Sequence, residues 1–439
     1  MKINKWINYL ERVYVNVINS IAFYPTLLSI GFLLLSFFTI RVEYSEIIMG
    51  AKEEIGPALV HNNDNARLVL GTIVGSIISL MVFSFSMVMV VLNRATATLS
   101  PRILPGLISS RFHQIVLGFY IGTIVYSLIM IVNINAREMQ DSVPSFGIFL
   151  SMLFAISCLG LFVYFIHSIS MKIQVDNILK DIHKKTIKTI KAANVEQEAI
   201  NEPATDDWHA YSAGFSGYLK KIDHERLMKF CDKNEVDVQL KLNVGAFVIR
   251  HYPFVTCSDA LDEEKEEELI SCFIMYNDEH ISDHYQYGFN QISEIAIKAL
   301  SPGINDPGTA IRAIDLMADL FIRLMAIREL RLLETDKNKR KIYLKPLTFK
   351  KVLFKNLVPI RKYGNQDIMV LIRLLTSLHQ MLYAYPKEKL FFTELHELIE
   401  NIVECSKEFY QNDLDKNAIN NIIKQINERF EEGKAIDLL

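Results

Sequence analysis

With 439 residues, half of them hydrophobic, and a mean hydropathy of +0.18, the chain is too apolar for an average water-soluble enzyme. Its 22% of charged residues is too many for a protein buried wholly in lipid, so the composition divides the chain between bilayer and water. A net charge of −3 excludes nucleic acid as a main partner, because phosphate binding needs a concentrated basic face.

Four runs free of Asp, Glu, Lys and Arg, at about residues 21–40, 68–92, 115–132 and 146–166, have the length for transmembrane helices. The first is followed by Arg41, Val42 and Glu43 with no small-x-small cleavage site, so it reads as a span and not a signal peptide. Residues 1–170 are therefore expected to form a four-span transmembrane α-helical bundle. Basic residues flank one side: Lys2, Lys5 and Arg12 before the first span, Arg94, Arg102 and Arg111 in the second loop, and Lys172, Lys180, Lys184, Lys185 and Lys188 after the fourth. Such residues stay in the cytoplasm, which predicts a multi-pass protein of the bacterial cytoplasmic (inner) membrane with both termini cytoplasmic.

The second span carries a stripe of small and polar residues. Gly71, Gly75 and Ser79 recur every four positions, and Ser86 and Asn93 follow at spacings of seven. The stripe reads either as close helix packing within the bundle or as the lining of a water-filled path or an oligomer axis. The absence of ionisable residues in the spans argues against an ion-coupled transporter, whereas a pore lined by hydroxyls is allowed.

Beyond the spans, residues 171–205 read as a stalk helix and linker. Met171, Val175, Ile178 and Ile182 keep 4-3-4 spacing, as a helix packed on its own domain or a seam between subunits would. A cytoplasmic α+β domain follows, with a small mixed, β-rich part at 206–284 and a mainly helical part at 285–439. Asp223 opens a helix, and alternating β-branched residues around Gly245 mark strands. The later helices fall at roughly 285–300, 307–334, 365–384, 386–410 and 414–433, interrupted by a basic, strand-like stretch at 339–354. Five scattered cysteines (Cys158, Cys231, Cys257, Cys272 and Cys405) without C-x-x-C spacing read as reduced and mostly buried thiols.

The stretch "ALSPGINDPGTAIRAIDLMADLF", residues 299–321, is a helix corner with a residue for each task. Pro302 ends one helix, Gly303 permits a left-handed turn, and Asp306 caps the next helix, with Pro307 in its first position. Asn305, Asp306, Gly308 and Thr309, with Asp283 upstream, could together hold a small polar ligand or a cation. His280, Asp283 and His284 could bind a metal if their segment is helical, since the histidines sit four apart. Against this, the glutamate of H-E-x-x-H is missing, and Asp and Ser before a helix usually cap it. No Walker loop, G-x-G-x-x-G, G-x-S-x-G or H-E-x-x-H occurs, and nothing in the sequence points to a cofactor.

"SPGINDPGTA" (301–310), preceded by "DHYQYGFNQISEIAIKAL", resembles the signature of bacterial predicted membrane proteins grouped as domain-of-unknown-function family 2254. "FSFSMVMVVLNRATATLSPRIL" (83–104) is similar to that family's segment in which a span closes on a Ser-Pro-Arg turn. Gly308 stands where the family commonly has a bulky aromatic. The resemblance implies four spans and a C-terminal soluble domain, and no activity. The residues themselves suggest a homo-oligomer in the lipid bilayer whose spans form a pore or gate controlled by the cytoplasmic domain. The alternative is a membrane-anchored ligand-binding sensor or scaffold, and after that a membrane-bound metal-dependent enzyme.

Overall fold

The computed structural model describes residues 20, 22–43, 45–55, 59–98, 111–134, 143–172, 174–193, 207–276, 281–327, 331–384, 391–430 and 434–439. They fall in two compact units that part at Gln174 and Val175.

The first unit is all helix: α1 (Phe23–Val42), α2 (Glu46–Ile55), α3 (Asn63–Thr98), α4 (Arg111–Asn133) and α5 (Ser145–Lys172). Of these, α1, α3, α4 and α5 are long and apolar enough to cross a membrane. A helix satisfies its own backbone polar groups, which lipid cannot do. The closest pairing is α1 with α4, and two glycines make it possible. A Cβ on Gly118 would lie 2.9 Å from the Pro25 Cα, and one on Gly122 would lie 2.5 Å from the Phe32 ring. Phe32 then sits edge-on to Phe119 and Phe154, fixing the middle of the bundle.

At the end of α1 the buried Glu43 carboxylate joins three elements. It accepts the Phe146 and Gly147 N–H groups at 3.0 Å each, at the start of α5, and pairs with Lys52 of α2 at 2.8 Å. A negative charge at a helix N-terminus satisfies orphan donors and complements the helix dipole.

The second unit opens with α6 (Val175–Ala193). Ile178, Leu179, Ile182, Thr186 and Ile190 are buried within this unit, so Ile178 and Ile182 are taken up by the chain's own core and not by a seam between subunits. There follow β1 (His209–Ser212), β2 (Gly217–Ile222), α7 (His224–Asn234), β3 (Val238–Leu240), β4 (Phe247–Val248), β5 (Pro253–Cys257), α8 (Glu263–Ile270) and β6 (Phe273–Tyr276). The helical part comprises α9 (Tyr285–Ala299), α10 (Pro307–Met325), α11 (Phe349–Gly364), α12 (Ile368–Met381), α13 (Phe392–Ser406) and α14 (Asp413–Asn427), with β7 (Leu332–Glu334) and β8 (Lys341–Tyr343) between α10 and α11.

The strands form a five-stranded sheet, β1-β5-β3-β8-β7, and a three-stranded sheet, β4-β2-β6. Strand β8 joins the edge of β3 in parallel, so chain from the mainly helical region completes the β-rich part. Two expectations change here. Helix α10 stops at Met325 and does not run to 334. Of the basic stretch 339–354, only 341–343 is strand, while Phe349 onward is helix α11, capped by the Thr348 side chain. Its apolar positions, Phe349, Val352, Leu353, Leu357 and Ile360, follow the helical period.

Helix α9 is the spine of this unit, packed against α6, α10 and α11. At Gly288 the approach to α6 is extreme: a Cβ there would fall 1.8 Å from the Thr186 Oγ1. An ion pair and a hydrogen bond reinforce the α6–α10 contact, Arg312 with Asp176 at 3.0 Å and His183 Nε2 with Asp319 at 2.7 Å. Burial works against ionisation of Asp319, but hydrogen bonds from Arg323 and His183 outweigh it and hold the carboxyl below its usual range.

Gly288→Ala should therefore lower stability by about 1–3 kcal/mol through overpacking. Adding Thr186→Ala should restore part of the loss. Thermal unfolding of the purified full-length protein measures both.

Candidate functional site

Helix α3 buries little of itself: 11% of its most apolar stretch, against 44% for α4. Its buried residues are Ala66, Leu70, Ile73, Ile77 and Ser84. The five stripe residues, Gly71, Gly75, Ser79, Ser86 and Asn93, are all exposed. At 100° per residue the buried set spans about 60° of arc and the stripe about 80°, with centres roughly 180° apart. A Cβ added to Gly71 or Gly75 would have nothing within 4 Å. The within-bundle packing expected of this G-x-x-x-G is thus carried by a different one, Gly118-x-x-x-Gly122.

Polar groups that sequence reasoning missed lie inside the bundle. Ser84, Tyr120, Thr123, Ser127 and Cys158 are buried, and the Thr123 Oγ1 lies 3.6 Å from the Cys158 Sγ. The signal was the 3-4 spacing of Tyr120, Thr123 and Ser127 on α4. An open groove of about 730 Å³ between α1 and α4 is lined mainly by apolar residues such as Pro25, Leu33, Leu117 and Ile121.

In the second unit, the 299–321 corner uses its polar atoms on itself. The Asp306 Oδ1 accepts the Thr309 N–H at 3.1 Å, and its Oδ2 accepts the Thr309 hydroxyl at 2.6 Å. The Asp306 N–H closes the turn onto the Ala299 carbonyl at 2.8 Å. The left-handed residue is Asn305, with φ 48°, and not Gly303. Asparagine tolerates that region, so the loop needs no glycine there. A Cβ on Gly308 would have only the Asp306 Oδ1 within 4 Å, which leaves room for a larger residue.

Asp283 does not join this corner. It precedes α9, whose 15 residues put roughly 22 Å between it and Asn305, Asp306, Gly308 and Thr309. Asp283 instead lies 3.5 Å from the ammonium of Lys220 on β2, whose side chain is only 1% exposed. The same ammonium sits 4.6 Å above the Tyr287 ring. His284 caps α9, its Nδ1 accepting the Gln286 N–H at 3.2 Å. Burial pushes the His284 imidazole down to about 4. Of the proposed metal set, His280 lies outside the described residues. Among the described residues no three His, Cys, Asp or Glu side chains come together as a metal site.

The start of α9 is polar yet buried. Gln286, Asn290 and Gln291 are each at most 8% exposed. The Gln286 Oε1 and Asn290 Oδ1 have no hydrogen-bond partner among the described residues. Gly245, at φ 89°, brings the β3–β4 turn against this helix, and a Cβ there would stand 3.3 Å from the Gln286 Oε1. Lys220, Asp283 and Tyr287 were not legible as a group, because β2 and α9 meet only in the folded chain. The thiols of Cys231, Cys257 and Cys272 are buried and shifted upward by that burial, which suits inert packing groups.

Asp306→Ala should cost about 0.5–2 kcal/mol, the value of a lost N-cap, with Asp306→Asn retaining most of it. Equilibrium unfolding checks this. His284 gives a pH dependence of definite sign. Its folded value lies near 4 and its unfolded value near the usual 6.5, so the unfolded chain takes up the proton first. Its contribution is constant above about pH 6.5 and is lost as pH falls toward 4, by up to about 3 kcal/mol. His284→Asn keeps a capping acceptor and should flatten that fall in a series of melting curves.

Comparison with known proteins agrees with a membrane protein. The model of a family described as predicted membrane protein, domain of unknown function 2254, matches residues 18–380. The uncharacterized proteins MT1328 (strain CDC 1551 / Oshkosh) and Rv1290c (strain ATCC 25618 / H37Rv) of Mycobacterium tuberculosis are 23% and 22% identical over 328 residues. Mb1321c of Mycobacterium bovis, also uncharacterized, is 22% identical over the same length. Each match covers 72% of this chain and 63% of the relative, so the chain spans less than two thirds of their length. No solved structure matches. With four helices able to span a bilayer and a family match over most of its length, this chain belongs to the family of predicted membrane proteins with domain of unknown function 2254.

Proposed function

We propose that the chain is one subunit of a homo-oligomeric membrane assembly in which α3 faces its copies and forms a pore or gate. The observation that carries this reading is the two-sidedness of α3, with one face on its own bundle and the opposite face exposing Gly71, Gly75, Ser79, Ser86 and Asn93, interleaved with Leu68, Val82 and Met89. In lipid, apolar surface gives helices no reason to associate, and association depends on small residues that let backbones approach. One G-x-x-x-G, at Gly118 and Gly122, is used inside the chain, which leaves the pair at Gly71 and Gly75 for a second copy. Ser79, Ser86 and Asn93 continue that face and supply hydroxyl and amide groups suited to a wet path. The unit beginning at Val175 would lie in the cytoplasm of a bacterium and control the path through α6.

A second reading, a membrane-anchored sensor, is favoured by one observation: the buried acceptors of Gln286 and Asn290 at the start of α9, without a hydrogen-bond partner among the described residues. A small polar ligand seated there would bear on α9 and through Gly288 on α6.

Oxidative cross-linking of Ser79→Cys in native membranes, with Leu153→Cys on α5 as control, tests the oligomer. A disulfide-linked dimer for Ser79→Cys alone is expected, since one thiol per subunit can join two copies and no more. The pore requires solute or ion flux in liposomes holding the purified protein, reduced at least tenfold by Ser79→Phe. No cross-linking at position 79 would end the oligomer reading, and cross-linking without flux would leave the sensor.

A further inference from the structure

Residues 337–366 hold ten Lys and Arg and no Asp or Glu, in a chain whose net charge is −3. The helix within this segment, α11, divides that charge from its core. Phe349, Val352, Leu353, Asn356, Leu357, Ile360 and Gly364 are buried. Lys350, Lys351, Lys355, Arg361 and Lys362 occupy the other side, within about 140° of arc at 100° per residue. Phe354 and Val358 lie half-buried between these cations, and Lys350 reaches over the Phe354 ring at 5.7 Å. Lys350 also pairs with Glu397 of α13 at 2.5 Å. A solvated helix surface normally mixes signs, as α6 does with its Asp176–Lys180 and Asp181–Lys185 pairs.

We propose that the exposed face of α11 is a docking surface for the anionic headgroups of bilayer lipids. Three observations favour lipid over other polyanions. The chain is embedded in a bilayer by four apolar helices, so anionic headgroups are always at hand. The second unit starts at Val175, with two residues between it and Lys172 at the end of the last span's helix, so the chain itself holds the unit at the membrane. Helices α6 and α11 both pack on α9, so α11 lies within about 20 Å, two helix spacings, of α6, the helix that follows the last span in the chain. Basic side chains interleaved with apolar ones are what a helix lying at a headgroup layer presents, each cation there being worth about a fivefold gain in binding. The proposal needs only the bilayer, so it stands apart from the oligomer reading.

The test uses the full-length protein in nanodiscs of phosphatidylcholine alone or mixed with phosphatidylglycerol, with lysine acylation rates followed by mass spectrometry. Acylation of Lys351 and Lys362 should slow about fivefold or more in the phosphatidylglycerol discs and recover at high salt, with Lys229 of α7 unaffected. The triple variant Lys351→Gln, Arg361→Gln, Lys362→Gln, checked for an unchanged melting temperature, should lose the lipid-dependent protection of Lys355. Equal rates in the two lipids would overturn the proposal. So would equal protection in both, which means that protein covers the face, or protection that appears only when RNA is added.

Discussion

Hydrocarbon offers no hydrogen bonds, and that lack governs how this molecule is built. It forces the first unit into helices, and it removes the hydrophobic drive that packs helices together in water. What remains is close contact, and the chain achieves it where α1 meets α4. Gly118 and Gly122 let Pro25 and Phe32 approach to distances that any side chain would forbid. The same lack explains Glu43. A carboxylate buried at the end of a span must be fully engaged, and this one holds two N–H groups of α5 and the Lys52 ammonium. It ties three helices at one point.

The second unit follows ordinary aqueous rules, organised around one helix. Helix α9 is buried along almost its whole length, and each part meets a different neighbour. Its start meets β2 through Asp283 and Lys220, its middle meets α6 through Gly288, and its end turns the corner into α10. The corner is held by the Asp306 cap and by Asn305 in a left-handed conformation. Helix α6, the first element of this unit, is packed on both α9 and α10, so the three helices form one block.

Among the described residues, α3 exposes the stripe from Gly71 to Asn93, the start of α9 buries acceptors without partners, and α11 exposes a strongly basic face. Each would suit a partner of different chemistry: another copy, a small polar molecule, a headgroup layer.

Residue order alone was enough for the four spans, because the length of an uncharged run is a local property and lipid reads it locally. It was enough, too, for the helix starts at Asp223 and Asp306, since a cap needs only its own next three residues. Folding was needed to choose which G-x-x-x-G is spent within the chain, because Gly71-Gly75 and Gly118-Gly122 are alike in sequence and differ only in what lies opposite. Folding also paired β8 in parallel with β3 across about a hundred residues, and placed Asp283 with Lys220 and not with Asn305 and Asp306. A short strand such as 341–343 carries too few side chains to announce its partner. A residue's place along a helix becomes a distance only once the helix is known to run unbroken between two sites.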